Sequence, residues 1–552
     1  MPSSRSFPRF LTSLAMIGLL LATGSGAAAR PATPIATPGA SPDSRGVAPL
    51  PLTGERRAAF EAYVAAALLR YNVPGASVAV VQNGDVVYLN GFGVTVAGGT
   101  QPVTPDTMMM IGSITKSMTT MLAATLVDDG TIAWDSHLVD LLPGFAVADP
   151  SLATSLTVRD AFCNCSGIPG QNLESYFAGL PPSPETVVQS LANVAPTAPP
   201  GERYQYANAL IAAGGYALGA ANGSRGDLGV AYDTALRERV LGPIGMTHST
   251  FDQAAVLASG NYALPHSFDL SGSLRRIPLV EERNLLPIRP AGGLWSNARE
   301  MARYLQTELS GGVAPNGTRV VSTENLSATW TPTVPIPTFP GVSSSMAASQ
   351  TGYGMGWMLG EYHGLRLINH AGGTNGFSAE LGFLPAANLG IVILSNSLAA
   401  GIVVGAAFPY AVQFRLLEIL FGQPPQIDAE LAPLTAALAA SQPQLAPGVD
   451  SADVAPYLGR YTEPELGEVT VSLRDGRLVF DTGAVRSELR PRAADGGADL
   501  SVSRPAVVAL FAGCRSHGDV RRRGCRASVD PDHPGQSDRA GTGVRLRADC
   551  RR

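Results

Sequence analysis

Ile111-Gly112-Ser113-Ile114-Thr115-Lys116-Ser117 runs into Met118–Asp129, where apolar side chains recur at helical spacing, and then into Gly130, a suitable C-cap. The spacing predicts a helix whose first turn carries Ser113 and Lys116. Residues three apart share a helix face, so the lysine amine can reach the serine hydroxyl. The positive end of the helix dipole would also stabilise a developing alkoxide. Among 39 Lys plus Arg, Lys116 is the single lysine. An amine can lose its proton when buried, whereas a guanidinium cannot. The pair therefore suits a serine nucleophile activated by a lysine base. The plain alternative is a small polar N-cap and an exposed lysine in an arginine-biased chain.

Three further stretches carry side chains suited to the same chemistry. In Tyr204-Gln205-Tyr206-Ala207-Asn208, residues 206 and 208 are two apart, so both can face one cleft from an extended turn. A tyrosine hydroxyl beside an amine can shuttle a proton, and the Asn208 amide can grip a substrate carbonyl. In Asn369-His370-Ala371-Gly372-Gly373-Thr374, glycines next to an expected strand suggest close approach by a ligand. The strand edge there can donate an N–H to an oxyanion. Pro290-Ala291-Gly292-Gly293-Leu294-Trp295-Ser296-Asn297 precedes a helix that Asn297 and Glu300 can cap, and Trp295 can wall a pocket or belong to the core. Taken singly, Tyr206 is better explained as a core aromatic, and His370 as a turn histidine.

The remaining pattern sets the architecture. Residues 53–71 read as an amphipathic helix. Ala76–Val81 and Val86–Asn90 form a hairpin turned by Asn83-Gly84, and Phe377–Pro385 with Gly390–Asn396 form a second one. Strands at both ends of a helix-rich stretch predict an α+β fold: one antiparallel sheet flanked by helices, with an inserted helical region.

In this order, Pro74-Gly75-Ala76, Ser-x-x-Lys, Tyr-x-Asn, Leu241-Gly242-Pro243-Ile244-Gly245-Met246, Gly-Gly-Leu-Trp-Ser, Tyr353-Gly354-Met355-Gly356-Trp357 and His-x-Gly resemble the serine β-lactamase-like family. That family includes class C β-lactamases, D-alanyl-D-alanine carboxypeptidases, D-aminopeptidases and related esterases. The resemblance spans roughly residues 55–420. It implies the β-lactamase/penicillin-binding-protein fold, an acyl-enzyme on Ser113, and acid–base work shared by Lys116 and Tyr206. It further implies substrate contacts from Asn208, His370, Gly372 and Gly373, with the backbone N–H groups of Ser113 and Gly373 as oxyanion hole. His370-Ala371-Gly372 stands where β-lactamases usually carry Lys-Thr-Gly, which turns the expectation from β-lactams towards other esters and amides. Asn164 stands where the family commonly has histidine and receives no role.

The expectation is thus a serine hydrolase without metal or cofactor, acting on a small-molecule or peptide ester or amide. A non-catalytic ligand-binding or penicillin-binding sensor on the same fold is the rival. With a formal net charge of −5 and only 15% charged residues, the chain is not expected to bind nucleic acid.

Arg5 and Arg9, the apolar run Phe10–Ala22 and Ala27-Ala28-Ala29 have the layout of a cleavable secretory signal over residues 1–29. The run is too short for a membrane span, so the mature chain is expected to be exported without one. Residues 30–52 and 422–449 read as linkers on either side of a hydrolase domain at 53–421. A small, cut-short β domain of three or four strands is expected at 450–490. An Arg- and Cys-rich tail at 491–552 reads as disordered or as sequence out of frame. Cys163 and Cys165 are expected to stay as two thiols, because pairing so close in sequence is strained.

Overall fold

The computed structural model describes residues 43–170, 183–223, 227–268, 273–338, 343–398, 407–441, 451–455, 458–463, 467–481, 486–491 and 500–502. The expected signal, residues 30–42 of the first linker, 442–449 of the second and most of the tail lie outside these residues, as do Cys514, Cys525 and Cys550. Within the stretch expected as the second linker, Ile427–Ser441 instead forms a helix.

In chain order the main sheet comprises β1 (Gly75–Gln82), β2 (Asp85–Gly93), β3 (Val334–Pro335), β4 (Gly352–Tyr353), β5 (Met358–Tyr362), β6 (Leu365–Gly373), β7 (Ser378–Leu384) and β8 (Leu389–Ser395). Its spatial order is β2-β1-β8-β7-β6-β5-β4-β3, antiparallel throughout. The Asn83-Gly84 turn has positive φ at both residues (54° and 87°), as a two-residue hairpin with matching twist requires. Strands from the two ends of the domain meet in the centre, with Val78 opposite Ile393.

Side chains alternate between two cores along these strands. Ala76, Val78, Val80, Ile391 and Ile393 face α1 (Gly54–Arg70) and α6 (Ala407–Leu420). Ala79, Val81, Val392 and Leu394 face the larger helical side, which holds α2 (Thr115–Asp128), α3 (Asn208–Ala221), α4 (Leu228–Leu236) and α5 (Ala298–Leu309). Helix α2 is buried from Thr115 to Leu126, as a helix must be when its small and apolar residues leave no polar face. Its hydroxyls are satisfied internally: Ser117, Thr119, Thr120 and Thr125 each donate to a carbonyl three or four residues back.

Asn297 caps α5 by accepting from the Glu300 backbone N–H at 2.9 Å. Glu300, expected to complete a capping box, instead turns its carboxylate to the N–H groups of His248 and Ser249, both at 2.8 Å. Trp295 belongs to the core, 2% exposed and packed edge-on against Phe377. A separate sheet in the C-terminal region joins Gly459–Glu463, Gly467–Arg474, Arg477–Asp481, Arg486–Pro491 and Leu500–Val502 in that order. Four of these strands begin in the region where three or four are expected; the fifth, Leu500–Val502, lies in the stretch expected as a disordered tail.

Two carboxyls deep in the cores make stability depend on pH. Burial pushes Glu308 on α5 and Glu380 on β7 up to about 8 each. Their folded values lie above the ordinary value, so the stability they contribute is complete at low pH and is lost as pH rises through about 8. Deprotonating either should cost on the order of 5 kcal/mol. The melting temperature is expected to fall between pH 5 and pH 8.5, and Glu380→Gln to flatten that fall. Calorimetry across this range checks it; an unchanged slope in the variant would contradict the assignment.

Candidate active site

A 3-10 turn, Gly112–Ile114, leads directly into α2. Ser113 therefore sits one step before the α-helix rather than within its first turn, and it is the one member of the turn left partly exposed. Gly112 takes φ +53°, and a Cβ there would stand 2.4 Å from the Gly373 nitrogen. A Cβ on Gly372 would stand 1.9 Å from the Ile111 carbonyl oxygen. The serine turn is thus pressed backbone to backbone against the end of β6, which only glycine permits at these two positions. Pairing of β6 with β5 stops at Asn369–Met358, whereas pairing with β7 continues to Gly373–Ser378. His370 to Gly373 consequently lie beyond the reach of β5, on the side where the serine turn packs.

Lys116 is fully buried. Its Nζ lies 2.9 Å from Ser113 Oγ and 2.5 Å from the carbonyl oxygen of Ala291. It also stands 4.7 Å from the centre of the Tyr206 ring. Burial holds its amine well below the ordinary lysine range. A neutral amine at this distance can accept the serine proton.

Tyr206 and Asn208 arrive on a loop that ends where Asn208 opens α3. Both are partly exposed, like Ser113. The loop is held from below by Asn164. Its carbonyl accepts from the Gln205 N–H at 2.7 Å, and its Oδ1 accepts from the Ala207 N–H at 3.0 Å. The rings of Tyr204, Tyr206, Tyr353 and His370 form one aromatic wall, with neighbouring centroids 5.6–6.5 Å apart.

His370 is buried on β6. Its Nδ1 lies 2.7 Å from the Ala371 carbonyl oxygen and its Nε2 lies 3.1 Å from the Tyr353 hydroxyl. These partners assign the proton to Nδ1, leaving Nε2 to accept from the tyrosine. Burial, the dominant cause, pushes its pKa down to about 3 despite the Ala371 carbonyl. The imidazole is therefore uncharged at neutral pH.

The turn beyond Gly373 has its own anchor. Thr374 Oγ1 and the Asn375 N–H donate to the buried carboxyl of Glu282 at 3.1 and 3.2 Å, and Asn375 Nδ2 donates to the Glu281 carbonyl at 2.8 Å. Burial pushes Glu282 up to about 7 against the pull of those donors. Glu282 lies in the segment Leu279–Ile288, which leads into Arg289–Gly292 and hence into the carbonyl that holds Lys116. One segment thereby fixes both the strand turn and the amine.

Ser113, Lys116, Tyr206, Asn208, His370, Gly372 and Gly373 all belong to this one neighbourhood. Sequence reasoning gave no part to Asn164, Tyr353, Glu282 or the Ala291 carbonyl, although Tyr353 and Ala291 lie in stretches it had singled out. Cys163 and Cys165, expected as two thiols, are joined by a disulfide across Asn164. Among the described residues, no three His, Cys, Asp or Glu side chains come together to hold a metal ion, and no helix is long and apolar enough to cross a membrane.

An antiparallel sheet with a partly exposed serine beside a buried lysine at the foot of a central helix defines a class of serine hydrolase. Comparison with known proteins gives the family. A family model described as Beta-lactamase matches residues 57–407. An unguisins hydrolase of Aspergillus campestris is 27% identical over 368 residues, 65% of this chain and 65% of its own length. Penicillin-binding protein 4 of Amycolatopsis lactamdurans is 28% identical over 328 residues, 59% of this chain and 81% of its own length. The octameric penicillin-binding protein homologue from Pyrococcus abyssi shares the fold, with a TM-score of 0.56 at 22% identity over 81% of this chain and 93% of that one. This chain belongs to the β-lactamase family of serine hydrolases. It spans just under two thirds of the unguisins hydrolase.

Proposed function

We propose that this chain is an exported hydrolase that cleaves an ester or amide, with D-amino-acid peptides among its candidate substrates, through a covalent acyl-enzyme on Ser113. The single observation that carries the proposal is the chain's only lysine, fully buried with its amine 2.9 Å from that hydroxyl.

The roles are read from the family resemblance, and the geometry of Ser113 and Lys116 supports them. Neutral Lys116, with Tyr206 over it, takes the proton of Ser113 Oγ as that oxygen attacks the substrate carbonyl. The N–H groups of Ser113 and Gly373 receive the negative charge of the tetrahedral intermediate. The proton then passes to the leaving group, and water repeats the sequence in reverse to free the acyl group. Asn208, partly exposed at the start of α3, orients the carbonyl. His370 places an uncharged ring where a lysine would offer a fixed cation, which favours neutral acyl groups over carboxylate-bearing β-lactams. The unguisins hydrolase among the relatives supports hydrolysis as the outcome. Export is read from the first 29 residues. The catalytic body is assigned to residues 53–421, with the small β unit at 450–490 appended.

Labelling with a fluorophosphonate, located by peptide mass spectrometry, tests the assignment. The expected result is one adduct, on Ser113. An unlabelled Ser113 in folded protein would overturn the proposal. A stable penicillin adduct on Ser113 without ester or amide turnover would instead favour the binding-sensor alternative.

A further inference from the structure

We propose that the disulfide ring Cys163-Asn164-Cys165 is the positioning device for Tyr206, and that opening this ring with a dithiol reductant slows acyl transfer. The inference rests on the role given to Tyr206 above. Its structural basis is separate.

Cys163 ends the short helix Val158–Phe162, whose own start is fixed by a capping box between Thr157 and Asp160. From that fixed point the chain turns sharply, with Asn164 at φ +51°, a left-handed conformation that asparagine tolerates better than most residues. In this conformation the Asn164 carbonyl and its side-chain Oδ1 point the same way. They accept from Gln205 and Ala207, the two residues that flank Tyr206. The bracket continues beyond Asn164. Cys165 O accepts from the Gly201 N–H at 2.6 Å, and Gly167 O accepts from the Thr197 N–H at 2.9 Å. The segment 163–167 and the loop 197–207 are zipped together, and Tyr206 is carried at the end nearest Lys116.

The disulfide joins the residues on either side of Asn164. A cross-link stabilises a fold mainly by closing a long loop in the unfolded chain, an effect that grows with loop length. With one intervening residue there is almost no loop to close. The bond therefore acts locally: it restricts the backbone of Asn164, and with it the direction of both acceptors. Cys163, Asn164 and Cys165 are all buried, and the two cysteines pack against Tyr204, Tyr206 and Tyr353. Any widening of the ring is passed directly to that aromatic wall. In reduction, a dithiol gives two electrons and two protons. The Cys163–Cys165 S–S bond breaks, two thiols form, and the reductant leaves as its own cyclic disulfide.

The test compares oxidised, dithiothreitol-reduced and reoxidised enzyme. Alkylation and peptide mass spectrometry track residues 163 and 165 separately from the tail cysteines. On reduction, kcat for a p-nitrophenyl ester is expected to fall about tenfold with KM within about twofold, because a misplaced acid–base group slows chemistry more than binding. Reoxidation should restore it. A Cys163→Ser/Cys165→Ser variant should match the reduced enzyme and ignore the reductant. Asn164→Gly, which keeps the backbone conformation but deletes Oδ1, should lose kcat in the same direction even when oxidised. Amide hydrogen exchange at residues 205–207 supplies a readout independent of activity, and it should speed up on reduction. Unchanged exchange there, equal kcat in both redox states, or free thiols at 163 and 165 in the non-reduced protein would each overturn the inference. If Ser113 fails to label while exchange at 205–207 still responds to reduction, the catalytic assignment falls and the positioning ring stands.

Discussion

Lys116→Arg is expected to lower kcat/KM by about 10²- to 10⁴-fold, the range typical of losing a general base. Arginine keeps a positive charge and donors for Ser113 Oγ and the Ala291 carbonyl, so a purely structural cation would tolerate the exchange. A base would not, because a guanidinium does not give up its proton at accessible pH. The pH profile separates the two cases further. Lys116 works only when neutral, and burial holds its pKa well below the ordinary range. Activity is therefore complete above that lowered value and lost as pH falls through it. His370, already neutral above about 3, contributes nothing to this limb. A third consequence is thermodynamic. A buried amine that must stay neutral destabilises the fold at any pH where the unfolded chain would protonate it. Lys116→Met should thus melt higher than the wild type while being inactive, as expected where stability has been traded for function. Residual activity within tenfold of wild type in Lys116→Arg would remove the base role.

What was legible in the sequence follows from how far apart the interacting residues lie. The Ser113–Lys116 contact is three residues long and rides on helix geometry, so the spacing alone carries it. The Asn83-Gly84 hairpin is equally local, and the meeting of β1 with β8 follows from two hairpins that must share one sheet. The dryness of Lys116 was not local, because it depends on the Ala291 carbonyl 175 residues away. Asn164 is similar: its side-chain partner lies 43 residues further on, and an isolated Cys-Asn-Cys shows no reason to prefer that partner. Strain in so short a ring argued against pairing Cys163 with Cys165, yet the turn that Asn164 needs in order to reach two amides also brings the two sulfurs together. Glu282 escaped notice because a carboxylate in a polar stretch looks solvated until the turn at 374–376 is folded over it. Glu300 was read as a cap from its position three after Asn297, and it left that role because His248 and Ser249 offer it better donors.

Ser113→Ala is expected to cost about 10⁶-fold in kcat, the loss when a hydrolase nucleophile is removed outright. The structure indicates why little would substitute for it. Ser113 is the partly exposed member of a buried turn, and the hydroxyls nearest in sequence, Thr115 and Ser117, spend their protons on the carbonyls of Gly112 and Ile114. Neither is free to attack. The backbone N–H of residue 113 and that of Gly373 survive the substitution, so the site should still bind and polarise a carbonyl; KM should stay within a few-fold. Removing one small, partly exposed hydroxyl leaves the packing of Gly112 on Gly373 intact, so the melting temperature should hold within ~2 °C. The decisive measurement is a pre-steady-state burst experiment with a chromogenic ester in excess over enzyme. Wild type should show a burst equal to the enzyme concentration, and Ser113→Ala none. A burst of equal size in the variant would place the acyl group on another residue, and Lys116 would then need a different proton to take.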